Sequence, residues 1–137
     1  MNYKFVSIEK KKNCGIITYR SDKKQNLLTI DGMREILSAM EECRKDSFCK
    51  ALIFTGWEEY FCMGGFLGDY SRQGAEEIIS FADILTKLHR HMSRYPKPTI
   101  AAVNGHTGGG GLSFLEAFDL ALSVSWAEFS LPEICNG

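Results

Sequence analysis

The chain has 137 residues, 45% of them hydrophobic and 24% charged, and its formal net charge is −1. A chain of this length predicts one domain, residues 1–137, and the composition excludes collagen-like, low-complexity and disordered classes. The balanced charge does not suggest nucleic acid as a partner. We find no signal-peptide stretch and no apolar run near the roughly 18 residues of a membrane span. We therefore expect a cytoplasmic protein with neither nucleic-acid nor membrane partners.

Metal and disulfide chemistry have little support in the sequence. The five cysteines are scattered and include no C-x-x-C pair, so they predict neither a zinc site nor a disulfide framework. His89 and His91 lie two positions apart, and such a pair cannot share one face of a helix. We expect free thiols and no metal site.

Hydrophobic periodicity predicts strands and helices in alternation. In chain order we expect a strand at 3–9, a turn at 10–13, a strand at 14–19, a polar loop at 20–26, a helix at 30–46, a strand at 50–55, an aromatic and glycine-rich loop at 57–68, a helix at 75–94, a strand at 99–103, a helix at 112–118 and a strand at 119–124. The second helix is expected to bury one apolar face, made of Ile78, Phe81, Ala82, Leu85, Leu88 and Met92. This order predicts an α/β fold with right-handed crossovers.

Four successive glycines, Gly108 to Gly111, lie between the strand at 99–103 and the following helix. Glycine allows positive φ and close backbone approach, so amide N–H groups can point into a cavity at a helix N-terminus. Such a place attracts a phosphate, a carboxylate or an oxyanion. A P-loop would need a lysine after the glycines, and a dinucleotide-binding fingerprint would need glycine at Ser113. The pattern leaves two interpretations, an oxyanion site or glycines that only permit tight strand–helix packing.

The residues around this cluster resemble the signature of the crotonase (enoyl-CoA hydratase/isomerase) superfamily. Four matching segments follow in the family's order and together cover essentially the whole chain: Arg20-Ser21-Asp22-x-x-x-Asn26, Leu52–Gly56 with Phe61–Gly65, Lys97–Gly111 with Asp119, and Ala127–Gly137. The resemblance implies a crotonase-like ββα spiral core. Crotonase relatives continue for about as many residues again, so we expect 1–137 to be the N-terminal portion, which stops before the C-terminal helical part.

Site residues follow from the resemblance. It implies that the backbone amides of Gly65 and Gly110 form an oxyanion hole around a thioester carbonyl, on which enolate charge develops. Glu133 matches the family's catalytic glutamate, a general acid or base beside the substrate's α and β carbons. The neighbouring Gly64 and Gly109 are expected to contact the substrate.

The resemblance also implies the substrate and the assembly. The substrate is an acyl-CoA or an acyl-carrier thioester, and the first matching segment would lie along the CoA. No cofactor is implied, because coenzyme A enters as part of the substrate. The full-length form is implied to be a homo-trimer or a hexamer.

Three positions depart from the family pattern or vary within it. Ser113 stands where family hydratases have a second glutamate, and a hydroxyl has no useful basicity at neutral pH; Glu116, one turn later, is expected at the surface or lining the helix. Phe66 replaces a common aspartate, and His106 stands where relatives have tyrosine or histidine. We expect Ser113, Phe66 and His106 near the substrate, with His106 packing more than reacting.

These departures favour isomerase-like proton transfer by one glutamate over hydration. Two other functions stay open. One is decarboxylation or dehydration of carrier-bound polyketide-type intermediates. The other is a non-catalytic fragment that binds acyl-CoA or serves in assembly.

Overall fold

The structure is a computed structural model that describes residues 2–66 and 74–131. Its main sheet has five strands. Its spatial order is β1 (Val6–Lys11), β2 (Cys14–Tyr19), β3 (Ala51–Thr55), β5 (Thr99–Val103) and β7 (Leu120–Ser123). The first two strands are antiparallel, and every other neighbouring pair is parallel. Parallel neighbours require crossover connections, which confirms the predicted α/β fold.

A second, smaller sheet contains three short parallel strands: β4 (Tyr60–Cys62), β6 (His106–Gly108) and β8 (Phe129–Ser130). Each follows a strand of the main sheet, so the chain passes repeatedly from the large sheet to the small one. This repetition is the spiral that the resemblance implied. We did not predict these strands, because two or three residues are too few to show an alternating pattern.

Three α-helices complete the described part of the chain: α1 (Ile30–Lys45), α2 (Ala75–Ser93) and α3 (Gly110–Leu115). α1 begins where the Thr29 hydroxyl accepts a hydrogen bond from the Gly32 amide at 3.0 Å, which is ordinary N-capping. At its other end the Lys97 ammonium donates to the carbonyls of Cys43 at 2.6 Å and Asp46 at 2.8 Å. Side-chain hydrogen bonds thus cap the helix at both ends.

Some predicted boundaries and faces are wrong. The third helix begins inside the glycines and ends at Leu115, not at 118, and the first turn is only Lys12 and Asn13, both at positive φ. α2 buries Phe81, Leu88 and Met92, but Ile78 is 39% exposed and Ala82 is also exposed. The buried stripe of α2 is therefore narrower than its hydrophobic pattern suggested.

Aromatic side chains join the two sheets to α3. The ring centroid of Phe54, on β3, lies 5.7 Å from that of Phe61 on β4 and 5.2 Å from that of Phe114 on α3. All three side chains are fully buried, and their edge-to-face geometry is the favourable one. This cluster fixes the glycine-rich start of α3 relative to the end of β4.

The edge of the main sheet at β7 carries exposed apolar side chains. Leu120 is 63% exposed and Leu122 is 71% exposed. Three apolar side chains that follow β7 in the chain, Trp126, Phe129 and Leu131, are about half exposed. An apolar, uncharged sheet edge is typical of an interaction surface. Within the described ranges, no helix is both long and apolar enough to cross a membrane.

Candidate functional site

Two glycine segments from successive turns of the spiral meet beside the start of α3. Gly64 and Gly65 follow β4, and Gly110 is the first residue of α3. A methyl group added to Gly110 would lie 3.7 Å from the Gly64 Cα and 3.8 Å from the Gly65 nitrogen. The structure thus brings together the two glycines that were predicted as oxyanion donors, 45 positions apart in the sequence.

The Gly65 amide is directed by a parallel bridge to Leu28. The Leu28 amide donates to the Gly64 carbonyl at 2.8 Å, and the Phe66 amide donates to the Leu28 carbonyl at 2.7 Å. In a parallel bridge of this kind the polar groups of the middle residue point away from the partner strand. The Gly65 N–H therefore points away from Leu28.

Both amides are available to a ligand. Gly110 begins α3, and the first amides of a helix have no intrahelical acceptor. Among residues 2–66 and 74–131, no backbone carbonyl accepts a hydrogen bond from the nitrogen of Gly65 or of Gly110. An oxyanion site needs neighbouring donors of this kind, and the role of Gly65 and Gly110 as such donors stays a prediction.

The backbone around these amides requires glycine. Gly64 has φ +107°, and Gly109 has φ +52° with ψ −132°. Residues other than glycine rarely adopt these backbone conformations. A methyl group on Gly111 would collide with the Cys62 carbonyl. Tight strand–helix packing therefore explains the glycine at Gly111, and the oxyanion interpretation of the cluster stays a prediction.

A cleft of about 340 Å³ has Phe66 and Phe81 among its lining residues. Phe66 is 39% exposed, and the Lys23 ammonium lies 4.8 Å from the centre of its ring. The structure therefore places Phe66 at the surface of an open cleft, directly after Gly65 in the chain.

A second cleft, of about 540 Å³, is bordered by the segment that resembles the family's CoA-contacting region. Its lining includes Ser21, Lys23, Lys24, Asn26, Trp57 and Tyr60. Asn26 holds the segment in place, since its side-chain amide donates to the Phe61 carbonyl at 2.9 Å and its Oδ1 accepts from the Ser21 amide at 2.8 Å. This segment is therefore tied to β4, just before Gly64.

The other predicted site residues have different surroundings. Ser113 is exposed on α3, one turn after Gly110 and on the same side of the helix, and Glu116 is exposed where that helix ends. His106 accepts a hydrogen bond at Nδ1 from the Glu128 amide at 3.1 Å, and its ring packs 5.6 Å from that of Trp126. Both contacts of His106 are made with the segment before β8, and its contact with substrate stays a prediction.

Glu133 lies outside the described residues. The strand that precedes it is described: in β8, the Ser130 carbonyl accepts a hydrogen bond from the Gly109 amide at 3.0 Å. Asp119, part of the matched pattern, has a structural contact, because its Oδ2 accepts from the Thr99 amide at 2.7 Å and the Thr99 hydroxyl at 2.9 Å. It ties the start of β5 to the start of β7.

Sequence reasoning missed the contributions of Asn104 and Phe81. Asn104 accepts from the Gly56 amide at 2.8 Å and donates to the Glu58 carbonyl at 2.9 Å, so it joins the ends of β3 and β5. The Phe81 ring packs against Gly65. Its place in a helical apolar pattern indicated burial, but nothing in that pattern could indicate which residue it contacts.

The Cys62 thiol lies next to the glycines and is fully buried. Burial raises the pKa of the Cys62 thiol to about 12, so this thiol next to the glycines stays protonated at neutral pH. In the part of the chain that the structure describes, no three His, Cys, Asp or Glu side chains cluster in a way that could hold a metal ion.

Comparison with known proteins agrees with the fold and the motifs. The family model described as Enoyl-CoA hydratase/isomerase matches residues 9–137. The short-chain-enoyl-CoA hydratase of Clostridium acetobutylicum is 31% identical over 133 residues, 96% of this chain and 51% of that protein. The crotonyl-CoA hydratase of Syntrophomonas wolfei is 30% identical over 138 residues, 100% of this chain and 53% of that protein.

Solved structures show the same fold at lower identity. A crystal structure of enoyl-CoA hydratase from Bacillus anthracis superposes with a TM-score of 0.89 at 20% identity, covering 98% of this chain and 53% of that one. The chain spans about half the length of the relatives it matches. Because the family model covers nearly all of the chain, the chain belongs to the enoyl-CoA hydratase/isomerase family.

Proposed function

We propose that this chain forms an acyl-thioester site in which the Gly65 and Gly110 amides stabilise an enolate and Glu133 alone transfers the proton. The observation that carries the proposal is the approach of these two glycines, whose amides have no backbone acceptor within the described residues. The reaction class is isomerisation of an enoyl thioester.

The proposed chemistry follows from where charge develops. Removing a proton from C2 of a 3-enoyl thioester leaves negative charge on the thioester oxygen, and each well-aimed amide lowers that barrier by roughly 3–4 kcal/mol in comparable sites. Glu133 accepts the C2 proton and, as the resulting carboxylic acid, protonates C4, so the double bond moves from C3–C4 to C2–C3. One carboxylate is sufficient, because the group that acts as the base at C2 then acts as the acid at C4.

Ser113 supports isomerisation over hydration. Its position on α3 puts it on the same side of the helix as Gly110, where family hydratases have a carboxylate. Adding water requires one group to take a proton from the water and another to protonate carbon, and a serine hydroxyl is too weak a base for the first task and too weak an acid for the second. The relatives named as hydratases therefore guide the substrate class more than the reaction type.

The CoA or phosphopantetheine part of the substrate is proposed to lie in the 540 Å³ cleft beside Ser21 and Asn26. Lys23 and Lys24 border this cleft, and ammonium groups suit phosphate oxygens. Chain connectivity supports the role of Glu133, since a residue three positions after Ser130 has its Cα within about 11 Å of the Ser130 Cα. We further propose a homo-oligomeric full-length form, consistent with the exposed apolar edge at β7.

The experiment that tests this function follows proton exchange in D₂O by NMR, with a saturated acyl-CoA, a 2-enoyl-CoA and a 3-enoyl-CoA. The expected result is deuterium at C2 and a shifted double bond without added water. The variant Glu133→Gln should lose exchange and keep thioester affinity, whereas the matched control Glu116→Gln should keep both.

Three outcomes would contradict the proposal. Thioester binding without exchange would indicate a binding module instead of an enzyme. Efficient addition of water by the unaltered chain would indicate a hydratase. Loss of carbon dioxide from a β-carboxyl thioester, without double-bond migration, would indicate a decarboxylase.

A further inference from the structure

Phe81 is the residue of α2 that touches the candidate site. A methyl group on Gly65 would lie 2.9 Å from Phe81 Cε1 and closer still to Cζ, so the ring packs directly against the Gly65 backbone. Phe81 is only 6% exposed. Among residues 74–87, all of them described, it is the single buried side chain.

The Gly65 peptide is held from two directions. On one side, Leu28 pairs with Gly64 and Phe66 through hydrogen bonds of 2.8 and 2.7 Å. On another, the Phe81 ring occupies the space where a side chain of residue 65 would be. The hydrogen bonds fix the Gly64–Phe66 segment relative to Leu28, and the ring blocks movement of the Gly65 backbone towards α2.

We propose that Phe81 is a positioning residue, whose ring holds the Gly65 amide in the direction needed to donate to the thioester oxygen. This inference rests on the proposed function for its consequence on turnover, but the packing itself can be tested without catalysis. An oxyanion donor must lie about 2.7–3.1 Å from the charged oxygen, and a misplacement of about 1 Å can lower a rate by about a hundredfold.

A phenylalanine suits this role for two reasons. Its ring is rigid and wide, so it covers the flat face of a glycine peptide better than a branched side chain of smaller area. It also places no polar atom near the two amides, which therefore keep their hydrogen-bonding capacity for the substrate.

The first measurement uses the ligand-free protein labelled with ¹⁵N. In Phe81→Leu, the resonance of the Gly65 amide should shift and broaden relative to that of the unaltered chain. The control is Phe48→Leu, the same substitution at a side chain that is 49% exposed, which should leave the Gly65 resonance unchanged. If Phe81→Leu does not fold, Phe81→Met keeps more of the side-chain volume without the ring and serves as the second variant.

The second measurement follows C2-proton exchange on a 3-enoyl-CoA. Phe81→Leu should lower kcat about tenfold to a hundredfold with little change in KM, because the ring aims a donor and does not hold the CoA. A rise in KM at constant kcat would overturn the positioning role.

The two measurements separate the two hypotheses. An unchanged Gly65 amide in a folded Phe81→Leu protein overturns the role of Phe81, whatever the activity of the unaltered chain. Absence of exchange in the unaltered chain overturns the proposed function, and the Gly65 resonance still decides whether Phe81 positions that amide.

Discussion

The Gly109 amide donates a hydrogen bond to the Ser130 carbonyl at 3.0 Å, which ties the glycine turn before α3 to strand β8. A second bond of the same pair of strands runs from the Thr107 amide to the Glu128 carbonyl at 2.9 Å. The pairing keeps the segment that carries the Gly110 donor next to the segment that leads to Glu133. The strands that lead to Gly110 and towards Glu133, β6 and β8, are therefore neighbours in one small sheet.

Replacing Gly109 by alanine should destabilise the fold by about 1–3 kcal/mol, the usual cost of a side chain in a disfavoured backbone region. The reason is its φ of +52° with ψ −132°. Urea unfolding measures the loss as a lower midpoint, and thioester exchange should fall in parallel. The control is Gly74→Ala, because Gly74 has φ −69° and nothing within 4 Å of an added methyl group. Equal midpoints for the two variants would contradict this assignment.

Replacing Lys97 by methionine should lower the free energy of unfolding by about 1–2 kcal/mol, because two carbonyls at the end of α1 lose a charged donor. The ammonium group of Lys97 lies 2.6 Å from the Cys43 carbonyl and 2.8 Å from the Asp46 carbonyl. Lys87→Met, at an exposed position of α2, is the matched control and should change the urea midpoint little. A larger effect in the control than in Lys97→Met would show that the cap does not stabilise the helix.

Stability should fall as the pH rises above 9, because burial raises the pKa of the Cys43 thiol to about 11 from its ordinary value of 9.0. The folded chain keeps the thiol protonated while the unfolded chain ionises. The contribution is therefore complete below pH 9 and is lost as the pH rises through about 11. Urea unfolding at pH 8 and at about pH 10.5 should show a smaller drop for Cys43→Ala than for the unaltered chain.

Cys14→Ala provides the comparison for that pH series, because it removes a thiol that is only half-buried. The same slope in all three proteins would mean that Cys43 does not carry the effect.

Local pattern predicted the larger elements well. The strands at Cys14–Tyr19 and Thr99–Val103 occur where they were expected, and the helix expected at 30–46 occurs as Ile30–Lys45. Each is long enough for a repeated pattern of burial to appear in the sequence. The motifs also indicated the family, and through it the fold, because four segments in a fixed order leave few alternatives.

Short elements and exposed faces could not be predicted in this way. The three strands of the small sheet have at most three residues each, and their pairing depends on backbone contacts between distant turns of the chain. The exposure of Ile78 depends on which neighbours surround α2, and periodicity alone contains no information about neighbours.

Glycine at positions 64, 65 and 109–111, and the presence of serine instead of a carboxylate at 113, were decided by the sequence alone. These residue types set which chemistry is possible, because glycine allows the positive φ and the close backbone approach found here and only a basic group can take a proton. The tertiary structure decided that Gly65 and Gly110 lie next to each other and that Phe81 packs against Gly65. Such contacts arise because the spiral of strands packs together residues that are far apart in the chain. A local sequence pattern does not show which of those residues will meet.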